Sequence, residues 1–147
     1  MELRDTKEPH AKLLVIEQTL AAVPFLRALS PRRRAHLARL ATTRRYPAGA
    51  VIVRQGDTSM AAYVVLSGAV RIGPERQSVS GADDALAGPG AFFGEMGVIH
   101  DRPRAETVVA VEPTECALIA KWDFTALLYA QPQVALDLML RATLDEG

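Results

Sequence analysis

The chain has 147 residues, 49% apolar and 23% charged, which fits one domain with a core of its own and excludes a disordered chain. Basic and acidic side chains are equal at 17 each, so the strongly basic balance of a nucleic-acid binder is missing. The single cysteine, Cys116, excludes an internal disulfide framework and speaks against a cysteine-ligated metal or iron–sulfur site.

Residues 1–9 are polar and patternless. From about His10 to Ala22, Leu13, Ile16 and Leu20 recur with near-helical spacing, and Pro24 stops the run. PFLRALS reads as turn-like. Ser30 then reads as an N-cap and Pro31 as the first residue of a second helix, with Leu37, Leu40 and Ala41 facing inward. The basic run Arg32-Arg33-Arg34 reads as the solvated face of that helix.

The pattern then changes. Val51-Ile52-Val53 is a β-branched run between turn residues, and AAYVVLSGAVRIG reads as strand, tight turn at Ser67-Gly68, strand. PERQSVSGADDA reads as an exposed loop and LAGPGAFFG as a further strand-like piece. ETVVAVEPTECALIAK gives two strands separated by Glu112-Pro113-Thr114, with Cys116 as a small core residue. Short strands so spaced predict a small antiparallel barrel or roll.

Helical spacing returns in KWDFTALLYAQP, where Phe124, Leu127 and Leu128 share a face and Trp122 is expected to pack beneath the roll. In the last segment Ala135, Leu138, Met139 and Ala142 form one apolar face and Leu136, Leu140 and Leu144 a second. A helix apolar on two sides has two things to cover: its own core, and either a ligand or a second subunit. The expected fold is α+β, mainly β: a jelly-roll-like antiparallel β-roll flanked by N-terminal and C-terminal helices. The expected division is a tail and helix over 1–22, the roll with its flanking helices over 23–130, and a lid or dimerisation helix over 131–147.

Chemistry concentrates in FFGEMGVIHDRPRAETV, residues 92–108. Gly94 permits a turn and close approach of a ligand to the backbone. EMGVI can form a short helical turn whose first N–H groups favour an anion. Glu95 can accept from hydroxyls through two oxygens. Pro103 stiffens the approach to Arg104, whose fork of donors suits phosphate oxygens. One group for sugar hydroxyls and one for phosphate imply a nucleotide or sugar phosphate. A bare surface ion pair between Glu95 and Arg104 is the other reading, and spacing alone does not choose.

FGEMGVIHDRPRAETV is similar to the phosphate-binding cassette of cyclic nucleotide-binding domains, usually F-G-E-[LM]-[AG]-L, a short tip, then P-R-[AST]-A-T-V. YPAGAVIVRQGD, AAYVVLSGAVRI and KWDFTALL also resemble segments of that family, in the same order, so the resemblance runs from about Val23 to Leu140. The family includes the catabolite activator protein, the regulatory subunits of protein kinase A and cyclic-nucleotide-gated channels. The resemblance implies that Glu95 accepts from the ribose 2′-hydroxyl and that Arg104 pairs with the cyclic phosphate. It also implies support from Gly94 and from the N–H groups of Met96 or Gly97 and of Ala105. Alanine at position 105 leans toward cAMP, where threonine or serine would help cGMP.

Glu106 departs from the family pattern, which has a small residue there. A carboxylate within about 5 Å of a phosphate would oppose binding by a few kcal/mol at an effective dielectric of about 20. Strand alternation predicts that Glu106 points opposite to Ala105, toward Arg102 or solvent.

The expected function is a non-catalytic sensor of cAMP, or of cGMP, that passes its signal through the C-terminal helices. The alternative is a ligand-free interaction or dimerisation module of the same fold regulating a partner protein. A homodimer through the last helix fits either reading. No cofactor beyond the nucleotide and no metal is expected, and His100 beside Asp101 reads as an exposed tip residue. No nucleophile–base pair is visible, so an enzyme is not expected. The chain ends at Gly147, short of the helix-turn-helix that many bacterial relatives carry, so direct DNA binding is not expected. A cytoplasmic location is expected, since no signal peptide and no apolar run of about 18 residues is present.

Overall fold

The computed structural model describes residues 9–58, 60–73, 85–94 and 106–138. Three helical segments come first: α1 (Pro9–Ala22), a 3₁₀ turn (Pro24–Leu26) and α2 (Pro31–Leu40). The N-terminus of α2 forms as its sequence dictates. Ser30 has extended backbone, its hydroxyl accepts from the Arg33 N–H at 3.2 Å, and Pro31 takes the first helical position, where no N–H is needed. Eight strands follow: β1 (Thr42–Tyr46), β2 (Val51–Val53), β3 (Ala61–Ser67), β4 (Val70–Gly73), β5 (Ala85–Ala87), β6 (Phe92–Phe93), β7 (Thr107–Ala110) and β8 (Thr114–Ala120). The last described elements are α3 (Lys121–Ala130) and a helix, α4, described over residues 132–138. Of the loop expected over residues 74–85, all but Ala85 falls outside the described residues, and Ala85 already belongs to β5.

The strands form two four-stranded antiparallel sheets, ordered β1-β8-β3-β6 and β2-β7-β4-β5. The central strands of the first sheet, β3 and β8, are buried on both faces. Val64 and Leu66 of β3, with Ala117 and Ile119 of β8, join the helices in one core with Leu20, Leu37 and Phe124. The intervening Tyr63, Val65, Cys116 and Leu118 point the other way, into a second core shared with Val70 and Val108 of the facing sheet. This two-sided burial explains why β3 and β8 read as continuous apolar runs rather than as alternating ones. The fold is thus the β-roll with helices at both ends that the sequence predicts.

Two side chains sit elsewhere than the sequence suggested. Leu40 is 40% exposed, because the buried face of α2 runs from Leu37 to Ala38 and Leu40 lies on its flank, about 60° beyond Leu37 on the side away from Ala38. Trp122 does not pack beneath the roll: it is 65% exposed. Phe124, fully buried two residues on, fixes the rotation of α3 and turns Trp122 to the opposite side.

Candidate functional site

Residues 95–105 lie outside the described residues, so Glu95, Met96, Gly97, Arg104 and Ala105 are placed only by what flanks them. The segment leaves β6, an edge strand of the first sheet, and enters β7, an inner strand of the second. It is therefore the crossover between the two sheets.

The entry is held firmly. Phe93 is buried and stacks on Tyr63 with ring centroids 5.0 Å apart and planes within 8°. Phe92, alternating to the other face, meets Phe124 of α3 at 5.8 Å. Gly94 follows with φ +88°, in the left-handed region that only glycine enters without strain, so the turn inferred from sequence is real.

The exit is held by a hydroxyl. Thr107 is buried, and its Oγ1 accepts from the Gln55 N–H at 2.9 Å, tying the first residue of β7 to the turn after β2. The structural role of Thr107 is not legible in the sequence. A single threonine at a strand start carries no periodic signal, and its partner is 52 residues away.

Glu106, the position that departs from the family pattern, is exposed to solvent. It precedes β7, so its direction is set by the chain entering the strand and not by the alternation within it. Arg102, its expected partner, and His100 lie outside the described residues.

Among the described residues, Cys116 is a titratable group of the roll's interior, buried in β8 as expected. Burial above all, and the Glu115 charge next, push its thiol from 9.0 up to about 12. Inside the fold it stays neutral while the unfolded chain ionises from about pH 9, so its contribution to stability is intact below that pH and declines above it. A thiol-reactive dye is expected to leave Cys116 unmodified in the native protein at neutral pH and to label it fully in denaturant. Rapid native labelling would contradict this burial. Among the described residues no cluster of three or more His, Cys, Asp or Glu side chains could hold a metal ion. Among them, too, no helix is long and apolar enough to cross a membrane.

The family model of the cyclic nucleotide-binding domain matches residues 43–131, more than half of the chain, and spans the crossover. A cyclic nucleotide-gated potassium channel of Mesorhizobium japonicum is 36% identical over 118 residues, 80% of this chain and 31% of that protein. The cyclic AMP receptor protein of Thermus thermophilus is 42% identical over 94 residues, 63% of this chain and 43% of that protein. The chain therefore spans less than half the length of these two relatives. In three dimensions, the regulatory domain of Toxoplasma gondii protein kinase A, crystallised with cAMP, superposes with a TM-score of 0.78 over 91% of this chain and 51% of that one. At 24% identity this likeness shows the shared fold.

Proposed function

The chain belongs to the cyclic nucleotide-binding domain family, and from that premise we propose that it is a non-catalytic sensor of a cyclic nucleotide, with cAMP as its ligand. The observation that carries the reading is that the family match runs through a cassette retaining both Glu95 and Arg104. In this reading Glu95 accepts from the ribose hydroxyl, Arg104 clamps the cyclic phosphate, and the backbone around Gly94, Met96, Gly97 and Ala105 supplies close approach and N–H donors. Ala105 favours cAMP over cGMP. The exposure of Glu106 supports binding, since a solvated carboxylate opposes a phosphate far less than one inside the pocket.

Transmission follows from the flanks. Phe92 stands two residues before Gly94 and touches Phe124 of α3, so a cassette that closes on ligand pulls on a helix already packed against its entry strand. The ligand shifts α3 and α4 only by the difference in its affinity for the two arrangements. The output is a cytoplasmic partner protein or a second copy of the chain.

The test is calorimetry with cAMP and with cGMP. cAMP is expected to bind more tightly than cGMP. Arg104→Ala is expected to weaken binding more than about 10-fold, the loss of one charge-assisted pair to phosphate at roughly 1.5–3 kcal/mol. A second reading, a ligand-free dimerisation module, is favoured by Tyr129 at 84% and Leu136 at 60% exposure on the C-terminal helices. It prevails if neither nucleotide binds at high micromolar concentration and light scattering finds a dimer.

A further inference from the structure

Eight arginines, no lysine and no carboxylate lie between Glu17 and Asp57, although the chain as a whole is neutral. With 17 basic and 17 acidic side chains in all, the remainder holds nine basic residues against all 17 acidic ones. Four of the eight lie on α2. Arg32, His36 and Arg39 follow one another at helical spacing on the exposed side of α2 and span about 10 Å, with exposed Arg33 beside them. Arg44 is exposed too, but it pairs with Cys116 on β8 and so lies on the face of the first sheet away from α2, outside this cluster.

This arrangement costs stability. Arg32 and Arg33 occupy the first turn of α2, at the positive end of the helix dipole, where no acidic residue offsets them. Like charges three and four apart add repulsion. Arg34 has a structural task, since its guanidinium donates to the carbonyls of Arg27 and Leu29. Arg32, Arg33 and Arg39 make no ion pair with any of the described residues. Glu115, the carboxylate opposite β1, is engaged by Lys12 at 2.7 Å and Arg45 at 3.8 Å. Arginines at a sheet edge can guard it against pairing with another chain, which accounts for Arg44 and Arg45 on edge strand β1. Helix α2 has no edge to guard. Solubility does not account for the cluster either, because mixed signs serve it better.

We propose that this arginine surface of α2 docks an acidic segment of a partner protein. The apolar face of α2 is spent on the domain's core through Leu37 and Ala38, so the helix cannot lie in a lipid surface. Duplex nucleic acid and membranes extend beyond the patch and would meet the net negative remainder of the chain, whereas a short acidic segment stays within a Debye length of about 8 Å of the arginines. The use of arginine without lysine is the composition of protein interfaces, where planar forks meet carboxylates.

The probe is a short fluorescein-labelled oligoglutamate, read by anisotropy at low salt with the full chain. Binding is expected, weakening as salt rises, and at least about 10-fold weaker in the triple variant R32E/R33E/R39E, with R71E as the unaffected control. Arg32→Glu alone is expected to raise Tm by about 1–4 °C, since it relieves the repulsion at the helix start. Equal binding by wild type and triple variant, no binding at low salt, or tighter binding of duplex DNA or phosphatidylglycerol vesicles than of oligoglutamate would overturn the proposal. So would a fall in Tm on Arg32→Glu, which would make the arginine part of the fold's own stability.

Discussion

Phe124→Ala is expected to destabilise the domain by about 3–5 kcal/mol, the range for an aromatic side chain removed from a fully buried site. Phe124 has no exposed surface and sits where the helices meet the roll, among Leu20, Val64, Ala117 and Ile119. Its ring also contacts Phe92 at 5.8 Å, so the cavity opens beside the strand that leads into the cassette. The surroundings come from helices and a sheet at once and cannot all collapse into the space. Urea unfolding followed by circular dichroism measures this, with the midpoint falling and the slope unchanged. Tryptophan fluorescence is a weaker probe, because Trp122 is already solvated in the native state. A loss below about 1 kcal/mol would mean that α3 is not anchored by this residue.

Gly68→Ala is the second large effect, about 2–5 kcal/mol, and it acts through backbone and crowding together. Gly68 has φ +95° in the turn between β3 and β4. A Cβ there would stand 2.6 Å from the Thr114 Cα, and closer still to the Pro113 carbonyl and the Thr114 hydroxyl. Those atoms cannot give way. The buried Thr114 hydroxyl accepts from the Ala69 N–H at 3.2 Å and donates to the Glu112 carbonyl at 2.8 Å, which ties the β3–β4 turn to the β7–β8 turn. Gly49→Ala is the comparison: it shares a positive φ of +89° but its Cβ would meet nothing within 4 Å. It is expected to cost only the conformational part, about 1–2 kcal/mol. Equal losses in the two variants, measured by thermal unfolding, would show that close approach at Gly68 contributes nothing.

Most elements and their punctuation were legible from local signals, but the polar run of β1 gave no strand signal and β5 and β6 read as one piece. Ser30 and Pro31 start a helix because one side chain caps it and the other lacks the N–H that would go unpaired. Ser67-Gly68 turns because glycine accepts the required φ. Gly94 was legible for the same reason, and with it the start of the crossover. These signals are local: each depends on a residue's own backbone and its near neighbours.

What depends on distant partners was set by the packing of the folded chain. That packing divided β3 and β8 between two cores, so that alternate residues of one apolar run serve different ends of the molecule. It gave the hydroxyls of Thr107 and Thr114 their places, with Gln55 and Ala69 as partners 52 and 45 residues away. Trp122 lies between the two cases. A helix places residues two apart on nearly opposite sides, so Phe124 and Trp122 could not both face the roll. The sequence held that exclusion, but the docking of α3 against Phe92 settled which ring went in.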